Sequence, residues 1–197
     1  EDMRFAGNVN HYDDPHNSFL NVVLSKRQGI PISLAVLWLE LGQSLGLKVN
    51  GVSFPGHFLV KVTLDEGLVV LDPMNGESLG LDNLSERLAP FRPILGDSTD
   101  TDIPLGLFLQ PAQPRDILTR MLRNLKEIFT SQKDWQRLIG VLDRLIVLYP
   151  QALDEKRDRG LAFIELGNTQ EARKDLLQYV LGLPDASDAP EIQKRLA

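Results

Sequence analysis

A hydroxyl, an imidazole and a carboxylate follow one another in an order that could carry out acyl chemistry. Ser33 lies in Gly29-Ile30-Pro31-Ile32-Ser33-Leu34-Ala35, His57 in Phe54-Pro55-Gly56-His57, and Asp72 in Leu71-Asp72-Pro73. In such a set the hydroxyl is the candidate nucleophile, the imidazole takes its proton, and the carboxylate orients the ring. A serine is not ionised near neutrality. It needs a base aligned on its proton at the moment of attack, and donors for the oxyanion that forms. The chain contains no cysteine, which excludes a thiolate nucleophile, disulfides and cysteine-ligated zinc. Each residue also has a purely structural role open to it. Ser33 can bond backbone at a helix start, His57 can close a turn, and Asp72 before Pro73 can cap one.

The elements that position these residues follow from apolar spacing and turn residues. Asn17 to Lys26 reads as a short helix carrying Phe19, Leu20, Val22, Val23 and Leu24, broken by Gly29. Pro31 suits the first turn of a new helix, because the N–H it lacks would be unpaired there. From Pro31 to Leu41 only Ser33 and Glu40 are polar, so this helix is expected to be buried on nearly all sides and to stop near Gly46. Val49 to Val62, interrupted by Pro55-Gly56, and Leu68 to Leu71 after Asp65-Glu66-Gly67 read as strands of a hairpin. With Val62 opposite Gly67, His57 falls directly opposite Asp72, on one face and with Cβ atoms roughly 5 Å apart. A slip of one residue would separate them to opposite faces. The fold class expected is α+β, with antiparallel strands packed on a buried helix, followed by an all-α region.

The chain has 197 residues, 43% of them hydrophobic, enough for one large domain or two small ones. No apolar run approaches the length of a membrane span. The net charge of -6 falls unevenly, with 7 basic and 14 acidic residues in 1–105 and 14 basic and 13 acidic in 106–197. The acidic first half would repel nucleic-acid phosphates. Neither nucleic acid nor membrane is therefore expected as a partner. The lack of cysteine fits a cytoplasmic protein, and the absent thiol together with the helical repeat at 113–197 makes a protein or peptide the expected partner. No cofactor or metal is expected. His11, His16, Asp13 and Asp14 lack metal-ligand spacing and read as loop residues, while Arg115, Arg120, Arg123 and Lys126 read as a solvated helix face. Trp38 and Trp135 read as packing residues.

Residues 92–104 read as a linker, separating a domain at 1–104 from a helical region at 113–197. That helical region repeats. Phe129 and Phe163, Leu138 and Ala172, Leu142 and Leu176, and Pro150 and Pro184 are all separated by 34 positions, the tetratricopeptide period. Gly160 and Ala172 would let two antiparallel helices approach, Phe163 would fill between them, and Pro184 would follow the end of the second. The first copy is degenerate, with Lys126 where glycine would sit.

Beyond these readings, the chain resembles the bacterial SirB family. The likeness rests on Gly7-Asn8, Tyr12-Asp13-Asp14-Pro15, Asn17-Ser18-Phe19-Leu20, Gly29-Ile30-Pro31-Ile32-Ser33-Leu34, Pro55-Gly56-His57-Phe58 and Asp72-Pro73-Met74-Asn75-Gly76. It extends through Ile117-Leu118-Thr119-Arg120-Met121-Leu122-Arg123-Asn124-Leu125-Lys126 and Arg157-Asp158-Arg159-Gly160-Leu161. The resemblance implies a transglutaminase-like, papain-like domain joined to tetratricopeptide-type repeats. It also implies a further helical segment ahead of Glu1. By it, Ser33, His57 and Asp72 are the positional equivalents of a nucleophile, base and orienter, with a hydroxyl where the family fold uses a thiol. The expectation drawn is a non-catalytic interaction module that binds a protein or peptide. The alternative is a serine-dependent hydrolase or acyl-transferase acting on an amide or ester.

Overall fold

The computed structural model describes residues 4–93 and 104–196. The chain divides into two compact units, 1–117 and 118–197. The expected linker at 92–104 lies outside the described residues except for Arg92, Pro93 and Pro104. Among the described residues no helix is long and apolar enough to cross a membrane.

The first unit is α+β. A short strand β1 (Ala6–Gly7) pairs in parallel with β2 (Gln28–Gly29), bracketing a 3-10 turn and the helix α1 (Leu20–Lys26). Arg27 ends α1 in the left-handed conformation, so the break comes before Gly29 and not at it. Gly29 has a different reason to be glycine. A Cβ there would stand 2.6 Å from Ser33 Oγ and 3.1 Å from Val23 Cγ1. The helix α2 (Pro31–Ser44) starts with proline in its first turn and ends ahead of Gly46, whose φ of 75° needs no Cβ. Three antiparallel strands follow, β3 (Lys48–Val52), β4 (Leu59–Leu64) and β5 (Gly67–Leu71), in that spatial order. Helix α3 (Leu81–Leu88) then adds Leu84 and Leu88 to a core shared with Val52, Phe54, Leu59 and Val70.

Two expectations are corrected here. The hairpin pairs Leu64 with Gly67 and Val60 with Leu71, a register two residues away from the expected one. The loop is a two-residue turn, Asp65-Glu66, tighter than assumed. Because side chains alternate with period two, a shift of two leaves every residue on its expected face. Helix α2 is not buried all round either. Ile32, Leu34, Ala35 and Leu39 are in the core, but Trp38 is 40% exposed, and Leu41 and Leu45 are also open. Of the two packing roles expected for Trp38, in the core or between domains, the first does not hold.

The second unit is all α. It comprises the helix α4 (Pro114–Ser131), which begins just before the unit boundary, then α5 (Trp135–Leu148), α6 (Leu153–Glu165), α7 (Thr169–Gly182) and α8 (Ala189–Leu196). The 34-residue repeat is real in packing terms. Leu138 and Ala172 are both buried, as are Leu142 and Leu176. One network ties three helices: Arg159 of α6 makes two hydrogen bonds to the buried Asp175 of α7, at 2.6 and 2.8 Å, and a third to Asp143 of α5 at 2.7 Å. Such planar, paired bonds are the strong form of charge-assisted contact. At Gly160 a Cβ would lie 2.7 Å from Leu176 Cγ and 3.3 Å from the Ala172 carbonyl oxygen, so this glycine sets the closeness of α6 and α7. Gly160→Val should lower the stability of the second unit by about 1–3 kcal/mol. Urea denaturation of the full chain followed by helical circular dichroism measures this, and an unchanged midpoint would contradict the close-packing account.

Candidate functional site

The site is built from three stretches of the first unit. The turn Phe54-Pro55-Gly56-His57 precedes β4, and its His57 N–H donates to the Phe54 carbonyl at 3.0 Å. Gly56 has φ of 69°, and a Cβ on it would run into the ring of Phe91. Only glycine meets both demands, and this fixes the direction in which the histidine leaves the turn. The second stretch is Asp72 to Glu77 after β5. The Asp72 carbonyl accepts from Gly76 N–H at 2.8 Å, while its own N–H donates to the Glu77 carbonyl at 2.9 Å. Its Oδ1 also accepts the Met74 N–H at 3.0 Å, the local turn that Asp-Pro sequences favour. The third stretch is the last turn of α3, which supplies Arg87.

His57 and Asp72 meet as expected, even though the strand register differs. His57 Nε2 donates to Asp72 Oδ1 at 2.9 Å, and Arg87 Nη1 donates to Asp72 Oδ2 at 2.9 Å. Asp72 is 4% exposed. Burial alone would raise its pKa. The hydrogen bonds from His57 and from Met74 N–H, the charge of His57, and the bond from Arg87 outweigh that and pull it down to about 2. A carboxylate can only accept, so Nε2 carries the proton in the neutral imidazole and Nδ1 holds the lone pair. Nδ1 has no hydrogen-bond partner among the described residues. This is how a base, or a ligand-recognising ring, is held in a single tautomer.

Ser33 does not join the pair. It is wholly buried. Its hydroxyl donates to the Ile30 carbonyl at 3.0 Å, and its oxygen accepts the Ile30 N–H at 3.1 Å. Ser33 is the third residue of α2, and the backbone at Ile30 is extended. The side chain therefore folds back over the residue that caps its helix. The motif around it is explained in the same terms. The Asn8 N–H donates to the Gly29 carbonyl, the Asn8 amide donates to Asn17 Oδ1, and buried Asn17 donates to the carbonyls of His11 and Tyr12. These residues frame the start of α2.

The remaining sequence candidates have partners of other kinds. His16 Nδ1 bonds Asp14 Oδ1 at 2.7 Å, closing the short turn after Asp14. The His11 N–H donates to Asn8 Oδ1. Among the described residues no group of three His, Asp or Glu side chains gathers in a way that could hold a metal ion. Lys126 reaches Glu155 at 2.6 Å and Asp158 at 2.5 Å, so this member of the basic set is an interhelical pair and not a solvated one. Arg87 is the residue that the sequence reading missed. Its partner lies 15 residues away across a turn, with no periodic signal linking them, and the basic end of the short amphipathic run Leu81–Leu88 was the one available clue.

Comparison with known proteins agrees with this architecture. Residues 1–123 match the transglutaminase-like superfamily, and residues 125–197 match the tetratricopeptide repeat. A UPF0162 protein of Xylella fastidiosa strain 9a5c is 41% identical over 195 residues, covering 98% of this chain and 68% of that protein. A UPF0162 protein of Vibrio cholerae is 30% identical over 186 residues, covering 94% and 67%. Protein SirB1 of Salmonella typhimurium is 26% identical over 172 residues, covering 85% and 60%. The chain spans about two thirds of the length of the first two. No solved structure matches. The chain belongs to the transglutaminase-like superfamily, within the group of UPF0162 proteins that includes SirB1, as its motifs indicated.

The depressed acidity of Asp72 makes a pH prediction. A carboxyl whose pKa drops from 3.8 to about 2 on folding stabilises the fold fully above the unfolded value and loses that contribution as pH falls through the folded one. Because its partners Arg87 and His57 are partly exposed, the contribution is roughly 1–2 kcal/mol. In urea titrations, the stability gap between wild type and Asp72→Asn should be constant above pH 5 and narrow between pH 4 and 2. A gap that stays constant down to pH 2 would contradict the ion-pair account.

Proposed function

We propose that this protein is a non-catalytic, transglutaminase-like interaction module that binds a protein or peptide partner, with residues 1–104 as the transglutaminase-like domain and 113–197 as helical repeats. The observation that carries this reading is the state of Ser33. Its proton and a lone pair are both engaged by Ile30, and none of its surface is exposed. To attack a carbonyl it would have to break two buried hydrogen bonds, leaving the buried Ile30 N–H unpaired at about 1–3 kcal/mol, while the Ile30 carbonyl would keep its bond from Leu34 N–H at 3.0 Å. It would also have to leave its seat against Gly29. Tetratricopeptide-type arrays build extended binding surfaces from stacked helices, which supports binding as the role.

A second reading has one observation in its favour. The His57–Asp72 pair is assembled and anchored by Arg87, with Nδ1 unengaged among the described residues. A serine-dependent hydrolase or acyl-transferase using Ser33, His57 and Asp72 would need such a base. A fluorophosphonate probe, which phosphonylates serines activated by a base, separates the two readings. The interaction reading expects no labelling of wild type at neutral pH. It also expects Ser33→Ala to cost about 1 kcal/mol of stability through loss of the cap. Labelling of wild type that disappears in Ser33→Ala would overturn it in favour of the hydrolase.

A further inference from the structure

The second unit contains a groove of about 740 Å³ that nothing in the site above uses. Its apolar lining comes from Trp135, Leu138, Leu161 and Ala162. Lys126 stands one repeat before Gly160, at the position where glycine would let two helices close up. Here it reaches instead to Glu155 and Asp158 of α6, so one cation faces two carboxylates across the groove. Of the other charged residues in the lining, Arg195 bonds Glu191 in its own helix at 2.8 Å. Glu127 and Glu165 are exposed and have no hydrogen-bond or ion-pair partner among the described residues. Arg123 is the one remaining cation of the lining. The lining itself has three cations and four carboxylates, a surplus of one negative charge, and outside it Arg157 bonds Asp158 at 2.8 Å as Glu191 bonds Arg195. An apolar bed with a surplus of negative charge and two unengaged glutamates selects the sign of what can lie in it. An acidic segment would meet like charges, while a basic one would complement them and be drawn in at low salt.

We propose that this groove binds a peptide segment in which an apolar side chain, seated against Trp135, Leu138 and Leu161, is flanked by lysine or arginine that meets Glu127 and Glu165. The assignment rests on the interaction reading and names the partner chemistry for it. Because both glutamates are exposed, their reversal leaves the core untouched.

The test pans a random dodecapeptide phage library on the full chain, and measures binding of the synthesised hits to wild type and to the full-chain Glu127→Lys/Glu165→Lys variant. Trp135 serves as the local reporter in a Trp38→Phe background, since the chain has only two tryptophans. Peptides with Lys or Arg close to Leu, Phe or Trp should be enriched and should change the Trp135 emission. They should also bind the reversed variant at least about tenfold more weakly, or about 1.4 kcal/mol. Enrichment of acidic peptides, or hits that bind the reversed variant equally and leave Trp135 unchanged, would overturn the groove assignment while the interaction reading stands. Failure to enrich any peptide would contradict both.

Discussion

The carboxylate of Asp72 is the point on which the first unit converges. It is almost wholly buried, and it gathers a ring nitrogen from the turn before β4, a guanidinium from the end of α3 and a backbone N–H from its own turn. A buried charge without such partners costs several kcal/mol. The three donors are therefore conditions for the chain to fold this way. The demand passes outward: the turn at Asp72 needs Gly76 in a left-handed conformation, and the turn at His57 needs Gly56 beside the ring of Phe91. A structural necessity and a well-oriented histidine are thus the same set of bonds.

The contrast lies at the start of α2. There Ser33 turns back onto the residue before its own helix and makes no hydrogen bond to His57 or Asp72 among the described residues. Its oxygen accepts the Ile30 N–H, one of the backbone donors that a helix start leaves unpaired, and Gly29 gives the side chain room to turn inward. The His57–Asp72 pair is held in order, and the Ser33 hydroxyl serves the fold. The second unit follows a comparable division. Gly160 and Arg159 close α6 onto α7, whereas Lys126 at the earlier repeat position bridges α4 and α6 through a groove.

What the sequence disclosed depended on whether a feature was local or periodic. The proline at the start of α2 and the glycine beyond its end are local signals, and both marked the helix. The 34-residue period was legible because stacked helices repeat the same contacts. The pairing of His57 with Asp72 was also legible, since an error of two in the register keeps side chains on the same face. The register itself was not, because loop length had to be inferred from the same residues that form the strand ends. Arg87 and the exposed side of α2 were hidden for a shared reason. Which group a helix meets, and which of its apolar faces is covered, is set by tertiary packing. Apolar composition around Trp38 and Leu41 is the same whether or not something lies over them. Ser33 was found by its type and position, but the direction of its hydroxyl is a matter of one rotamer.

That direction is the centre of the account, and the absence of cysteine gives a direct way to measure it. Ser33→Cys would hold the single thiol of the chain. If the side chain at 33 turns inward to Ile30, iodoacetamide at neutral pH should alkylate the folded protein at least about 100-fold more slowly than the urea-unfolded one, since reactivity follows thiolate character and access. Rapid alkylation of the folded protein, with a thiolate already formed below pH 7 and lost on His57→Ala, would show an outward-facing nucleophile paired with its base and would contradict the account.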